Sequence, residues 1–153
     1  MTAPETENVC PSRRPSWWSG RSEQVPVVAV VAVGGAIGAA ARYAAALWWP
    51  AQAGGFPWAT FWVNVCGCVV IGAFMVLVTG LRVPHRLVRP FFGTGVLGGF
   101  TTFSAYAVEI ERLVGTGHPG PALAYLATTV LAALAAVWAG ASATRRFLAR
   151  RQR

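Results

Sequence analysis

Four apolar runs, each close to the roughly 20 residues a helix needs to cross a bilayer core, take up most of this 153-residue chain. They cover residues 25–49, 58–80, 91–114 and about 121–141. None shows the strict alternation of a transmembrane β-strand, so the expected fold is an all-α membrane protein with four transmembrane helices. Composition agrees, with 55% hydrophobic residues and only 12% charged, against about 25% charged in an ordinary soluble domain. No length remains for a second folded domain. The expected organisation is a disordered polar tail over 1–24, a helical membrane domain over 25–144 and a basic tail over 145–153.

Tryptophans 17, 18, 48, 49, 58 and 62 cluster near the ends of the first two runs, as an interfacial aromatic belt requires. A signal-peptide reading of the first run is disfavoured, because the apolar stretch continues well past the small residues Ala39–Ala41. Charge placement then sets topology. With four spans, both termini and the loop between the second and third spans share one face. Arg13, Arg14, Arg21, Arg82, Arg86, Arg89, Arg145, Arg146, Arg150, Arg151 and Arg153 all fall on it; Arg42 and Arg112 lie near the other ends, and there is no lysine. The positive-inside rule therefore places both termini in the cytoplasm of a multi-pass cell-membrane protein. The terminal arginines read as an anchor to anionic lipid in preference to a nucleic-acid site.

Catalytic readings find little support. Cys66 and Cys68, two apart on a helix, do not face each other, and neither His85 nor His118 lies within a span, so no disulfide or metal cluster is expected from them. Ser104 has no intramembrane His or Lys to activate it, which argues against a hydrolase, and the sequence GTGVLGG lacks the Lys-Ser/Thr of a phosphate loop. The chain is not expected to be an enzyme.

What stands out in the spans is a few features that are costly in lipid. In GGAIGAAARY of the first run, Gly34 and Gly38 form a small-xxx-small face that lets another helix approach, and Arg42 must snorkel or face water. In the second run Asn64 is the one strongly polar side chain; an interhelical hydrogen bond and a place on a permeation path both fit it. In the third run, GGFTTFSAY combines Gly98 and Gly99 with β-branched Thr101 and Thr102, whose hydroxyls compete for backbone groups. A break in helix three is expected there, and released carbonyls in a membrane commonly hold a cation. Phe103 and Tyr106, three apart, share a face, and their ring edges carry partial positive charge able to meet an anion beside Ser104. In the fourth run Tyr125 and Thr129, four apart, line up two hydroxyls on one face, with Thr128 beside them.

These motifs, GGAIGAAARY, VNVCG and GGFTTFS, resemble in order and spacing those of the Fluc or CrcB family of fluoride channels, over nearly all of the membrane part. The resemblance implies a four-helix subunit that pairs antiparallel with a second in a dual-topology-type dimer containing two pores, through which fluoride leaves the cell passively. It implies a structural sodium ion, not transported, held between subunits by backbone carbonyls at Gly98 and Thr101. It places Asn64, Phe103 and Tyr106 on the fluoride path, Glu109 and Tyr125 beside it, and Arg42 near the vestibule. The chemistry of the ion is consistent: fluoride is small and strongly hydrated, so a pore must replace its water with donors without holding it too tightly.

The chain departs from the family in having Tyr106 where the second pore residue is phenylalanine, which predicts that the pore using it conducts poorly or differently. The arginine bias departs as well. A homodimer needs one sequence to insert both ways, and eleven arginines on one side predict a single orientation and a homologous partner of opposite charge bias. A small multidrug exporter would need a membrane carboxylate in the first helix, which is absent; a non-transporting scaffold would explain the glycines but not Asn64, GGFTT and the aromatic pair together.

Overall fold

The computed structural model describes residues 21–50, 55–80 and 86–151, which are helical apart from short connections. The elements are α1 (Arg21–Trp48), α2 (Trp58–Gly80), a π-helical segment (Arg89–Val96), α3 (Leu97–Phe100), α4 (Phe103–Gly115) and α5 (Pro119–Arg151). Gln24–Trp48, Trp58–Gly80 and Pro119–Arg151 are each long and apolar enough to cross a membrane. The stretch between α2 and α5 is instead divided into the π-helical segment, α3 and α4.

Two boundaries differ from the sequence expectation. α1 begins at Arg21, inside the segment expected as a tail. α5 runs unbroken for 33 residues, about 50 Å at 1.5 Å per residue, against a bilayer core of about 30 Å. Arg145, Arg146, Arg150 and Arg151 thus continue a helix, and Arg151 lies over the Phe147 ring at 5.2 Å. The expectations for Cys10, Arg13, Arg14, Trp17, Trp18, Arg82, His85 and Arg153 lie outside the described residues.

Packing follows the small residues. α1 lies along the π-helical segment and α3, α2 along α5, and α4 against α5. On α1, a Cβ at Gly34 would stand 2.6 Å from the Phe91 carbonyl oxygen, and one at Gly38 would overlap the Val96 carbonyl. Gly95 and Gly99 present the answering face, Gly99 directly against Gly35. Backbone thus meets backbone, the close approach on which helix association in lipid depends. The α2–α5 contact is built the same way, with Gly72 against Val137 and Gly140 against Val69.

The π-helical segment enters this contact with Pro90 in its first turn, and its wider register is visible where the Leu97 amide donates to the Phe92 carbonyl, five residues back. At the far end of α4, Gly117 turns the chain with φ 82° and the His118 amide donates to the Leu113 carbonyl at 2.8 Å, so α5 starts at once and runs back along α4. The core lies near that turn: Phe61, Tyr106, Leu113, Ala122 and Tyr125 are buried together, with Phe56 packed on them. Most other large apolar side chains, among them Val28, Ile37, Leu123, Leu131 and Trp138, face outward. An apolar exterior of this kind belongs in lipid or against another subunit.

Candidate functional site

Between α3 and α4 the backbone leaves the helix. The Thr101 amide makes the last α3 bond, to the Leu97 carbonyl at 3.0 Å, and the Thr101 hydroxyl donates to the same carbonyl at 2.8 Å. Thr101 (φ −75°, ψ 152°) and Thr102 (φ −148°, ψ 126°) are extended. α4 then restarts with Thr102 as its cap, the hydroxyl accepting from the Ala105 amide at 3.1 Å and lying 3.2 Å from the Ser104 hydroxyl.

Leaving the helix frees backbone groups, and two side chains take up three of them. Asn64 on α2 accepts from the Thr102 amide through Oδ1 at 2.9 Å and donates through Nδ2 to the Thr102 carbonyl at 3.0 Å. One amide therefore replaces both hydrogen bonds that Thr102 would have had in a helix. Arg42 on α1 donates through Nε to the Gly99 carbonyl at 3.2 Å. Among the described residues no hydrogen bond reaches the carbonyls of Gly98 or Thr101. Gly98 is exposed, and a Cβ there would meet no atom within 4 Å. These two oxygens are suited to a hard cation, which takes oxygen ligands, supplied from outside the protomer's own packing.

Two cavities of about 200 Å³ flank the extended residues. The first is bordered by Arg42, Tyr43, Thr60, Thr102 and Glu109. Glu109 lies 3.5 Å from the Arg112 guanidinium, and its buried Oε2 accepts no hydrogen bond. The second is bordered by Asn64, Thr101, Thr102, Phe103, Tyr106 and Thr129, with Cys68 also in its wall. It holds no formal charge. Its free donors are the second Nδ2 hydrogen of Asn64, the Thr129 hydroxyl and ring edges, the Thr101 and Tyr106 hydroxyls being spent on the Leu97 and Leu126 carbonyls.

The structure thus brings Asn64, Phe103, Tyr106 and Thr129 into one space and leaves Arg42 in the other. Tyr125 borders neither; it is wholly buried, in ring contact with Tyr106 at 5.4 Å, and its hydroxyl and that of Thr129 are buried without a hydrogen-bond partner. Ser104 is exposed and touches Thr102. The rings of Phe103 and Tyr106 are 5.7 Å apart, yet Phe103 is 80% exposed and Tyr106 only 7%. For Asn64 the interhelical hydrogen bond and the cavity position coexist. The sequence reading did not foresee the link from Asn64 to Thr102, residues 38 apart, nor the Tyr106 hydroxyl donating to the Leu126 carbonyl at 3.0 Å. No local pattern marks either one.

A small, apolar-surfaced helical protein with an interrupted segment held by an asparagine and an arginine, flanked by one charged and one uncharged polar space, is built as a membrane protein is. The family model for CrcB-like protein, Camphor Resistance (CrcB), matches residues 29–141, and the chain belongs to that family. It is 65% identical over 161 residues, all of both chains, to the fluoride-specific ion channel FluC 2 of Streptomyces avermitilis. It is 61% identical over 158 residues, 99% of each chain, to fluoride-specific ion channel FluC 1 of Streptomyces coelicolor. A second Streptomyces avermitilis relative, fluoride-specific ion channel FluC 3, is 44% identical over 127 residues, 83% of this chain and 62% of its own length.

Proposed function

We propose that the chain is a subunit of a fluoride-specific ion channel that lets fluoride leave the cytoplasm passively and so lowers its concentration there. The observation that carries the reading is full-length similarity to relatives of that name, at 65% and 61% identity. The second cavity fits the ion: it offers N–H, O–H and ring-edge donors and no fixed positive charge that would trap an anion. Arg42, at the first cavity, supplies attraction from a distance. The chain carries out no catalysis in this reading.

The π-helical segment, α3 and α4 together form the third of four crossings, interrupted at Thr101 and Thr102, in the cell membrane with both termini cytoplasmic. Two such subunits assemble antiparallel. Support comes from the Phe103 ring, 80% exposed in one protomer, and from the carbonyls of exposed Gly98 and half-buried Thr101, which receive no hydrogen bond among the described residues. A sodium ion held by those carbonyls from both subunits would act as a fixed structural charge that fastens the interrupted segments together. The arginine bias favours a homologous partner of opposite bias, and Streptomyces avermitilis carries more than one relative.

The test is fluoride efflux from liposomes containing the purified chain with sodium present, with chloride efflux as control. Fluoride-selective efflux from the chain alone establishes the channel and shows that a homodimer suffices. Absence of efflux both alone and after coexpression with an oppositely biased homologue removes the channel reading.

A further inference from the structure

Among the described residues Thr102 is the one residue that borders both cavities. On one side it stands with Arg42, Thr60 and Glu109, on the other with Asn64, Phe103 and Thr129. It belongs to the regular part of neither helix, and every polar group it has is committed. Its amide and carbonyl are held by Asn64 at 2.9 and 3.0 Å, and its hydroxyl accepts from Ala105 at 3.1 Å and faces Ser104 at 3.2 Å. Ending α3 requires only that freed groups find partners. Holding one residue by both peptide groups from a separate helix does more, because it prevents that residue from swinging into either space.

We propose that Thr102 is the partition an anion passes between the two cavities, and that its methyl group, the one part of the side chain not engaged in hydrogen bonding, sets the rate of passage and the discrimination against larger halides. The inference rests on the channel reading. Thr102→Ser removes the methyl alone: the hydroxyl still caps α4, and the Asn64 clamp, which uses only backbone, is untouched. The passage widens, and chloride, larger and less strongly hydrated than fluoride, gains more from the widening.

The experiment compares full-length wild type and Thr102→Ser in liposomes, reading fluoride and chloride efflux separately. In parallel, Cys68 in the wall of the second cavity is labelled with a small anionic methanethiosulfonate in a Cys10→Ser, Cys66→Ser background. The expected result is fluoride efflux about threefold faster, a fluoride-to-chloride ratio about threefold lower, and Cys68 labelling accelerated by a similar factor. A residue that merely stabilises the fold would shift the melting temperature and leave the ratio and the labelling rate unchanged, and that outcome overturns the proposal. A wild type that passes no fluoride, alone or with an oppositely biased homologue, refutes the channel reading instead; the Cys68 labelling rate still decides whether Thr102 separates the two spaces.

Discussion

The hydroxyl of Tyr106 on α4 donates to the Leu126 carbonyl on α5 at 3.0 Å, tethering a ring of the second cavity to the neighbouring helix. A phenylalanine in this place would keep the ring contacts to Phe103 and Tyr125 but would be free to turn. Tyr106→Phe is therefore expected to raise fluoride flux through the pore that uses this ring and to lower stability by about 1 kcal/mol, the usual net value of one hydrogen bond. Flux assays and thermal melts of the two proteins check both halves. Unchanged flux would mean that the tether does not restrain the passage.

The contact of α1 with the π-helical segment and α3 leaves no room for a side chain at Gly38, where a Cβ would overlap the Val96 carbonyl and come 2.7 Å from the Phe100 amide nitrogen. Both obstacles are backbone, so neither can swing aside. Gly38→Ala is expected to cost about 2 kcal/mol or more through overpacking, while Gly120→Ala on α5, where a Cβ meets no atom within 4 Å, is expected to be neutral or mildly stabilising. Melting temperatures in detergent decide it; equal values for the two variants would contradict the close approach.

Why some of this was readable beforehand and some was not has a physical basis. The Gly34 and Gly38 spacing is a local pattern with a single use in lipid, and the structure gives it that use against Gly95 and Gly99. Residues 98–102 read as poor helix formers from composition, yet Gly98 to Phe100 stay helical in α3 and only Thr101 and Thr102 are extended. The partners of the freed backbone groups were not legible, because Asn64 and Arg42 are brought to Thr102 and Gly99 by helix packing that no short window of sequence encodes. How far α5 runs beyond the apolar stretch was not legible for the opposite reason: hydropathy marks where a helix leaves lipid, whereas Ala, Arg and Leu continue to favour the helix through Arg151. The burial of Tyr125, with its hydroxyl unpartnered, likewise depends on Phe56, which approaches its ring at 5.1 Å from the loop before α2.

Among the described arginines, Arg145, Arg146, Arg150 and Arg151 extend α5 at its C-terminal end, and Arg86 and Arg89 precede or open the π-helical segment. Single-orientation insertion is expected, with both termini cytoplasmic. Ala143 and Ala149 are exposed positions on this end of α5. Cysteines introduced there one at a time, in a background lacking the native three, are expected to react with an impermeant thiol reagent only after cells are opened. Equal reaction before and after opening would show dual insertion and remove the reason for requiring a partner of opposite bias.

Gly98 separates a role inside the protomer from a role between protomers. Its position has ordinary helical geometry and open space where a Cβ would go, so Gly98→Ala is expected to leave the fold of one subunit intact and even to favour α3 slightly. The same methyl group stands beside the free Gly98 carbonyl, on the face proposed to meet the partner around a sodium ion. The expected outcome is a normal helical content by circular dichroism but a loss of the stabilisation that sodium gives the wild type, together with a smaller dimer fraction. Wild type with no sodium-dependent shift at all would remove the ion from the assembly. A Gly98→Ala protein that keeps the full shift would place the ion elsewhere than on the Gly98 and Thr101 carbonyls.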